Sequence, residues 1–224
     1  MKILIVSATP FEVQPLYDYV DSNWVNYEPQ KFQKGNIGVE FLIAGVGVPN
    51  TIFYLSKKLF EHTFDLVINA GIAGAFDPNT ELGSVWNVVE DRFGDLGVEE
   101  ADGTFTDIFE MELIQANESP FTSGLIINPN SQTFHFLPPA RAITVNKVHG
   151  TQKSIEAIKS KYGADLESME GAGFFYVCQQ IKVNFLQIRS ISNIVEPRNK
   201  ENWNIPLAIK KLNGVLIEML EIFS

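Results

Sequence analysis

The sequence predicts an α/β fold, a three-layer α/β/α domain around a central mixed, mostly parallel sheet. Two observations carry the prediction: short β-branched runs alternate with segments whose apolar residues recur at helical spacing, and glycine-rich turns sit at strand ends. Lys2–Ser7 reads as a first buried strand. Residues 39–44 read as another, entered through the turn signal Lys34-Gly35-Asn36 after residues 31–33. Residues 49–61 place Ile52, Leu55, Leu59 and Phe60 close to helical spacing, and the strand 65–70 follows to complete a strand, helix, strand unit. Gly71-Ile72-Ala73-Gly74 breaks the pattern at that strand's end, and residues 84–90 restore a strand. Thr151 can cap a helix running through Ile155, Ile158 and Lys159, and residues 169–180 form the next helix. Residues 183–191 are then a buried strand and 206–223 a closing amphipathic helix.

The middle is less regular. Residues 91–123, with Gly94, Glu99, Glu100, Asp102, Gly103, Asp107, Glu110 and Glu112, form a solvated acidic, loop-rich stretch within one domain spanning 1–224. It reads as a surface insertion, with a lid or subunit contact as the alternative.

With 224 residues and 45% apolar content, the chain fits one domain with a sizeable core. The apolar runs 66–70 and 215–220 fall far short of the ~20 residues needed to span a bilayer. The start, Met1-Lys2 followed by residues 3–6, lacks the apolar length and small-residue cleavage site of a signal peptide, so a cytoplasmic protein is expected. Cys178 is the single cysteine, flanked by apolar and amide residues, and reads as buried. A formal charge of −10 argues against a nucleic-acid partner, which clustered Lys and Arg would have to hold, and favours a small-molecule ligand. His62, His135 and His149 lie in separate segments without metal-ligand spacing, so neither a metal nor a cofactor is inferred; each reads as a core or surface histidine.

Ligands in open α/β sheets bind outside the carboxyl ends of the strands. The first strand delivers Thr9 and Glu12 there, the second Gly45-Val46-Gly47, the third Gly71-Ile72-Ala73-Gly74, and the late strand Arg189 and Asn193. Each is weak alone, since an acid after a strand is usually a helix cap or solvated; their joint placement is the signal. Gly45-Val46-Gly47 lacks the third glycine and the following acid of a dinucleotide site, so its glycines read as letting the backbone approach a ligand closely. Glu170 opens a helix, where the dipole favours an ionised carboxylate able to grip a vicinal diol, and Met169 can lie against the sugar's apolar face. An ordinary acidic helix start beside a core methionine is the plain alternative.

These positions jointly resemble the purine nucleoside phosphorylase and nucleosidase superfamily, most closely hydrolytic members such as methylthioadenosine/S-adenosylhomocysteine nucleosidase. The resemblance runs from Lys2–Ser7 and Glu12-Val13, through Ala44-Gly45-Val46-Gly47 and Asn69-Ala70-Gly71-Ile72-Ala73-Gly74, to Ser168-Met169-Glu170-Gly171-Ala172 and Arg189-Ser190-Ile191-Ser192. It implies that Glu12 activates the attacking water, that Met169 and Glu170 hold the ribose, and that Arg189 lies beside the water. It implies also that Val46, Ile72 and Val148 contact the nucleoside, and that the enzyme is a homo-oligomer with a neighbouring subunit closing the site.

The departure falls at Asn193, where adenine-specific members carry aspartic acid. The amide NH2 of asparagine can donate toward N7 and O6 together, which suits a 6-oxopurine, and it would face adenine's amino group with a donor. An unpaired buried donor costs ~1–3 kcal/mol, enough to bias base choice by one or two orders of magnitude. Ser190-Ile191-Ser192-Asn193, with Arg198-Asn199 and Trp203 downstream, resembles the branch that hydrolyses futalosine in the alternative menaquinone pathway. That branch releases hypoxanthine and dehypoxanthine futalosine. Trp203 is then a candidate for packing near the base or the 5′ substituent, against a plain core role. Phosphorolysis needs donors for a phosphate dianion, yet the first 91 residues contain no arginine and no cation follows Gly45, so water is the expected nucleophile. A binding sensor that had lost turnover would have no reason to keep Glu12.

Overall fold

Alternation along β1 (Lys2–Ser7) separates the two faces of the sheet. Ile3 and Ile5 pack into one core with Val13, Leu16 and Val20 of α1 (Pro10–Asn23) and Leu212, Leu216 and Leu220 of α5 (Ile205–Phe223). Leu4 and Val6 enter the opposite core, with Leu55 and Leu59 of α2 (Val48–Glu61) and Phe174, Phe175 and Val177 of α4 (Gly171–Ile181). Successive strand residues pointing to opposite faces thus produce the two helical layers. The computed structural model describes residues 1–129 and 136–223, so His135 lies outside the described residues.

The remaining strands are β2 (Val25–Glu28), β3 (Lys31–Lys34), β4 (Ile37–Ile43), β5 (Leu66–Ala75), β6 (Val85–Asp91), β7 (Gly97–Glu99), β8 (Phe105–Asp107), β9 (Ile126–Ile127), β10 (Pro139–Thr144), β11 (Leu166–Ser168) and β12 (Phe185–Ile194); α3 spans Gln152–Tyr162. The main sheet runs β11-β10-β6-β12-β5-β1-β4-β3-β2. It is mixed: β1 pairs in parallel with β4 and β5, and β12 with β5, while β12 and β6 are antiparallel. Because β11 pairs with both β10 and β5, the strands β5, β12, β6, β10 and β11 close into a ring.

Several boundaries differ from the sequence reading. β5 continues through Gly71 to Ala75 instead of ending at residue 70, because β12 pairs with it along that whole stretch and β11 joins on the other side at Gly74 and Ala75. β12 likewise extends past residue 191 and contains Asn193. Glu12 is delivered by a helix and not by the end of β1: α1 starts at Pro10, with proline at its first position, where a missing N–H costs nothing. Met169 and Glu170 precede α4, with Glu170 as its N-cap residue. Thr151 caps α3 as expected, accepting a hydrogen bond from the Ser154 N–H at 3.3 Å. Cys178 is fully buried, and burial pushes its thiol pKa well up.

Residues 91–123 hold the β7/β8 hairpin and turns but no α-helix. Phe109 and Phe121 anchor this stretch to the core beside Tyr176. Its acids meet cations: Asp107 sits 3.4 Å from Arg92, and Glu110 pairs with Lys161. Among the described residues no helix is long and apolar enough to cross a membrane.

Candidate active site

Two polar centres lie along the paired strands β5 and β12. At the first, Gly71 stands opposite Arg189 in register. Oε2 of Glu12 accepts hydrogen bonds from Ser7 Oγ (3.1 Å), Thr9 N (2.9 Å) and Thr9 Oγ1 (3.0 Å). Among the described residues Oε1 accepts only from Ile72 N, at 3.2 Å, which leaves it the oxygen with spare capacity. The bond back to Thr9 N is the capping box of α1, so helix capping and site geometry share one carboxylate.

Arg189 is 1% exposed. Its Nη1 donates to Asn69 Oδ1 at 3.1 Å and its Nη2 lies 3.9 Å from Glu170 Oε2. Nε and Nη2 have no hydrogen-bond partner among the described residues. Glu170 Oε1 accepts from Gly47 N at 3.0 Å. Gly45 and Gly47 both have φ +91°, a conformation that other residues rarely adopt, and this turn is what aims the Gly47 N–H at the carboxylate. Burial pushes the Glu170 carboxyl above the usual range; Arg189 opposes that shift and the nearby charge of Glu12 adds to it.

The second centre surrounds Asn193, paired with Gly74 three residues along β5, about 10 Å further on at strand spacing. A bulge between Ile191 and Asn193 re-aims the strand there. Asn193 Nδ2 donates to Ile194 O at 3.0 Å, and the Ser192 hydroxyl lies 2.8 Å from Asn193 Oδ1. A cavity of about 50 Å³, open to solvent, is lined here by Gly74, Val148, His149, Asn193, Arg198 and Trp203. The Arg198 guanidinium lies 5.2 Å from the centre of the Trp203 ring.

The structure therefore pairs Glu12 with Ile72 and Arg189 with Glu170, and Glu12 and Arg189 both approach Gly71. It gathers Val148, Asn193 and Trp203 around one cavity. Met169 is half-buried beside Glu170, and Val46, 49% exposed, sits in the glycine turn. Arg198 and Lys200 are both exposed.

Sequence reasoning missed a pair. His149 had read as an unremarkable histidine, yet its Nδ1 hydrogen-bonds the carboxylate of Glu167, whose Oε1 also accepts from the His149 N–H at 3.1 Å. Glu167 is 5% exposed and pairs across β11 with Gly74, so one glycine links it to Asn193. The sequence offered no signal, because the partners are 18 residues apart on different elements. A buried network supports the sheet below: Asp91 accepts from Thr144 Oγ1 (2.9 Å) and Gln187 Nε2 (3.0 Å), while Thr144 Oγ1 accepts from Ala172 N at the start of α4 (2.7 Å). Among the described residues no group of three or more His, Cys, Asp or Glu could hold a metal ion.

A buried carboxylate with one open oxygen, a buried arginine, a second carboxylate at a helix start and a neighbouring amide-lined cavity thus lie about the paired strands β5 and β12. A family model described as the phosphorylase superfamily matches residues 2–221, and the chain belongs to that superfamily. It is 30% identical over 197 residues to the futalosine hydrolase of Streptomyces coelicolor, covering 82% of this chain and 80% of that protein. It is 26% identical to the 5′-methylthioadenosine/S-adenosylhomocysteine nucleosidase of Tolumonas auensis, over 99% of each chain. The fold is also that of the S. pneumoniae 5′-methylthioadenosine/S-adenosylhomocysteine nucleosidase solved with a transition-state inhibitor, with TM-score 0.79, 18% identity and full coverage of both chains. Both sequence relatives are nucleosidases.

Proposed function

We propose that this protein is a cytoplasmic N-ribosyl hydrolase that cleaves futalosine to hypoxanthine and dehypoxanthine futalosine in the alternative menaquinone pathway. The observation that carries the base assignment is the Asn193 carboxamide. Ile194 O takes one of its N–H groups and thereby fixes the amide with nitrogen as the donor, leaving the other N–H for the base. A 6-oxopurine offers O6 to that donor. Adenine offers its own amino group, which leaves a donor facing a donor.

Cleavage of an N-ribosidic bond builds positive charge on the sugar and negative charge on the base. Glu12 Oε1 takes the proton from water as the oxygen attacks C1′, with Arg189 beside it. Glu170 binds the ribose diol, and its charge favours the cationic sugar. Met169, Val46 and Ile72 pack around the nucleoside, and Trp203 and Val148 border the base. The glycine turn before α2 supplies backbone N–H groups and no cation, which favours water over phosphate. The substrate's aryl carboxylate has Arg198 as its candidate partner. On α2, Phe53 (63% exposed) and Phe60 (80%) stand one heptad apart and expose apolar surface suited to a second copy of the chain, so we assign a homo-oligomer.

The test is base release from futalosine, inosine, methylthioadenosine and S-adenosylhomocysteine, with and without phosphate. Phosphate-independent hypoxanthine release from futalosine is expected. Fast release from methylthioadenosine alone would overturn the Asn193 argument.

A further inference from the structure

We infer that His149, oriented by Glu167, is the acid that protonates the departing purine. The inference rests on the nucleosidase reading above. A departing 6-oxopurine presents two acceptors on one edge, N7 and O6, and Asn193 cannot serve both, because one of its N–H groups is committed to Ile194 O. An amide also cannot release a proton to an anion. A second group with a transferable proton is required beside Asn193.

His149 lines the same cavity as Asn193. Its Nδ1 is bonded to the Glu167 carboxylate, and its Nε2 has no hydrogen-bond partner among the described residues. The buried carboxylate receives both the ring and the backbone N–H of His149, so it holds the residue at two points and sets which nitrogen is left for a ligand. Gly74 lies between these parts: Glu167 pairs with it on one side and Asn193 on the other. A β-carbon there would come within 3.1 Å of Asn193 Nδ2 and 2.8 Å of Val195 Cγ2, so glycine is what lets them close up.

The step balances as follows. The C1′–N9 bond breaks and its electrons pass to the purine; the Nε2 proton of the imidazolium moves to N7, leaving neutral imidazole with Nδ1–H still on Glu167. Water adds to C1′ and gives its proton to Glu12. Exchange with solvent then returns a proton to His149 and removes one from Glu12. Asn193 meets O6 throughout. Glu167 is a positioning residue.

The test is steady-state hydrolysis of futalosine by His149→Gln and Glu167→Gln. Loss of an acid predicts a kcat lower by about 10²-fold or more in His149→Gln, with KM within about threefold, and a smaller kcat loss in Glu167→Gln. A kcat within about fivefold of the unmodified enzyme, or a loss carried mainly by KM, overturns the inference. A second arm uses 4-nitrophenyl riboside, whose phenolate leaves without a proton: its cleavage should be spared in His149→Gln, and an equal loss on both substrates also overturns the inference. Failure of the underlying reading looks different, since the unmodified enzyme would then release no hypoxanthine. The His149→Gln loss is in that case read on methylthioadenosine against the same two limits.

Discussion

A β-carbon on Gly71 would fall 2.4 Å from Nη1 of Arg189, and 2.9 Å from Oε1 of Glu12. The missing side chain is what allows a buried guanidinium and a carboxylate to meet over one strand position. Gly71→Ala should therefore displace both groups while the strand pairing survives. Displacements of this size cost about 10²-fold in catalysis, so hydrolysis should fall by that order while thermal unfolding stays cooperative. Near-normal turnover would mean that Arg189 has room to retreat without consequence.

Glu12→Gln tests the base. Three donors converge on Oε2, so the amide oxygen must occupy that position and the new NH2 must face the Ile72 N–H, a donor facing a donor. That costs roughly 1–3 kcal/mol of stability, whereas losing a general base costs about 10²–10⁴-fold in kcat. Turnover should collapse while hypoxanthine binding by calorimetry remains measurable. Retained activity would assign the base elsewhere.

Much of this first centre was legible in the sequence, because glycine-flanked strand ends and an acid at a helix start are local signals. What could not be read was pairing at a distance. Gly71 to Gly74 look like a strand terminus when only their neighbours are considered, yet β12 and β11 extend β5 through them. The same closure placed Glu167 opposite Gly74 and made a pair of His149 and Glu167, two residues whose own surroundings in sequence carry no catalytic pattern. α1 was hidden for another reason: Pro10 and Pro15 interrupt the helical periodicity that would have announced it.

Asn193→Asp should move base preference toward 6-aminopurines, since a carboxyl oxygen accepts from the amino group that the amide could only face with a donor. A change of about one to two orders of magnitude in the ratio of inosine to methylthioadenosine cleavage is expected from one mismatched buried donor. An unchanged ratio would transfer base selection to other groups lining the cavity.

Glu170 should impose an acid limit on ribose binding. Burial raises its carboxyl above the ordinary glutamate range, so the ionised form that grips the diol is lost, as pH falls, sooner than for an exposed glutamate. KM for the nucleoside should rise on the acid side, and Glu170→Gln should raise KM and flatten that rise. A pH-independent KM in the unmodified enzyme would separate Glu170 from the sugar.

Asp91 gives a stability test away from the chemistry. Burial pushes its pKa from 3.8 up to about 6, against hydrogen bonds from Gln187 and Thr144 and the charge of Arg189. A raised folded-state pKa means that the stability held by the neutral acid is complete below the unfolded value of 3.8 and is lost as pH rises through about 6. A shift of roughly two pH units corresponds to about 3 kcal/mol. Asp91→Asn removes the charge, and its new NH2 has a partner ready: Gln187 Oε1 is buried without a hydrogen bond, so turning that amide pairs the two side chains. Denaturant midpoints measured between about pH 4 and pH 7 should thus fall for the unmodified protein relative to Asp91→Asn, by an amount on the order of 3 kcal/mol in total. Parallel curves for the two proteins would show that Asp91 stays ionised, or stays neutral, across the whole range.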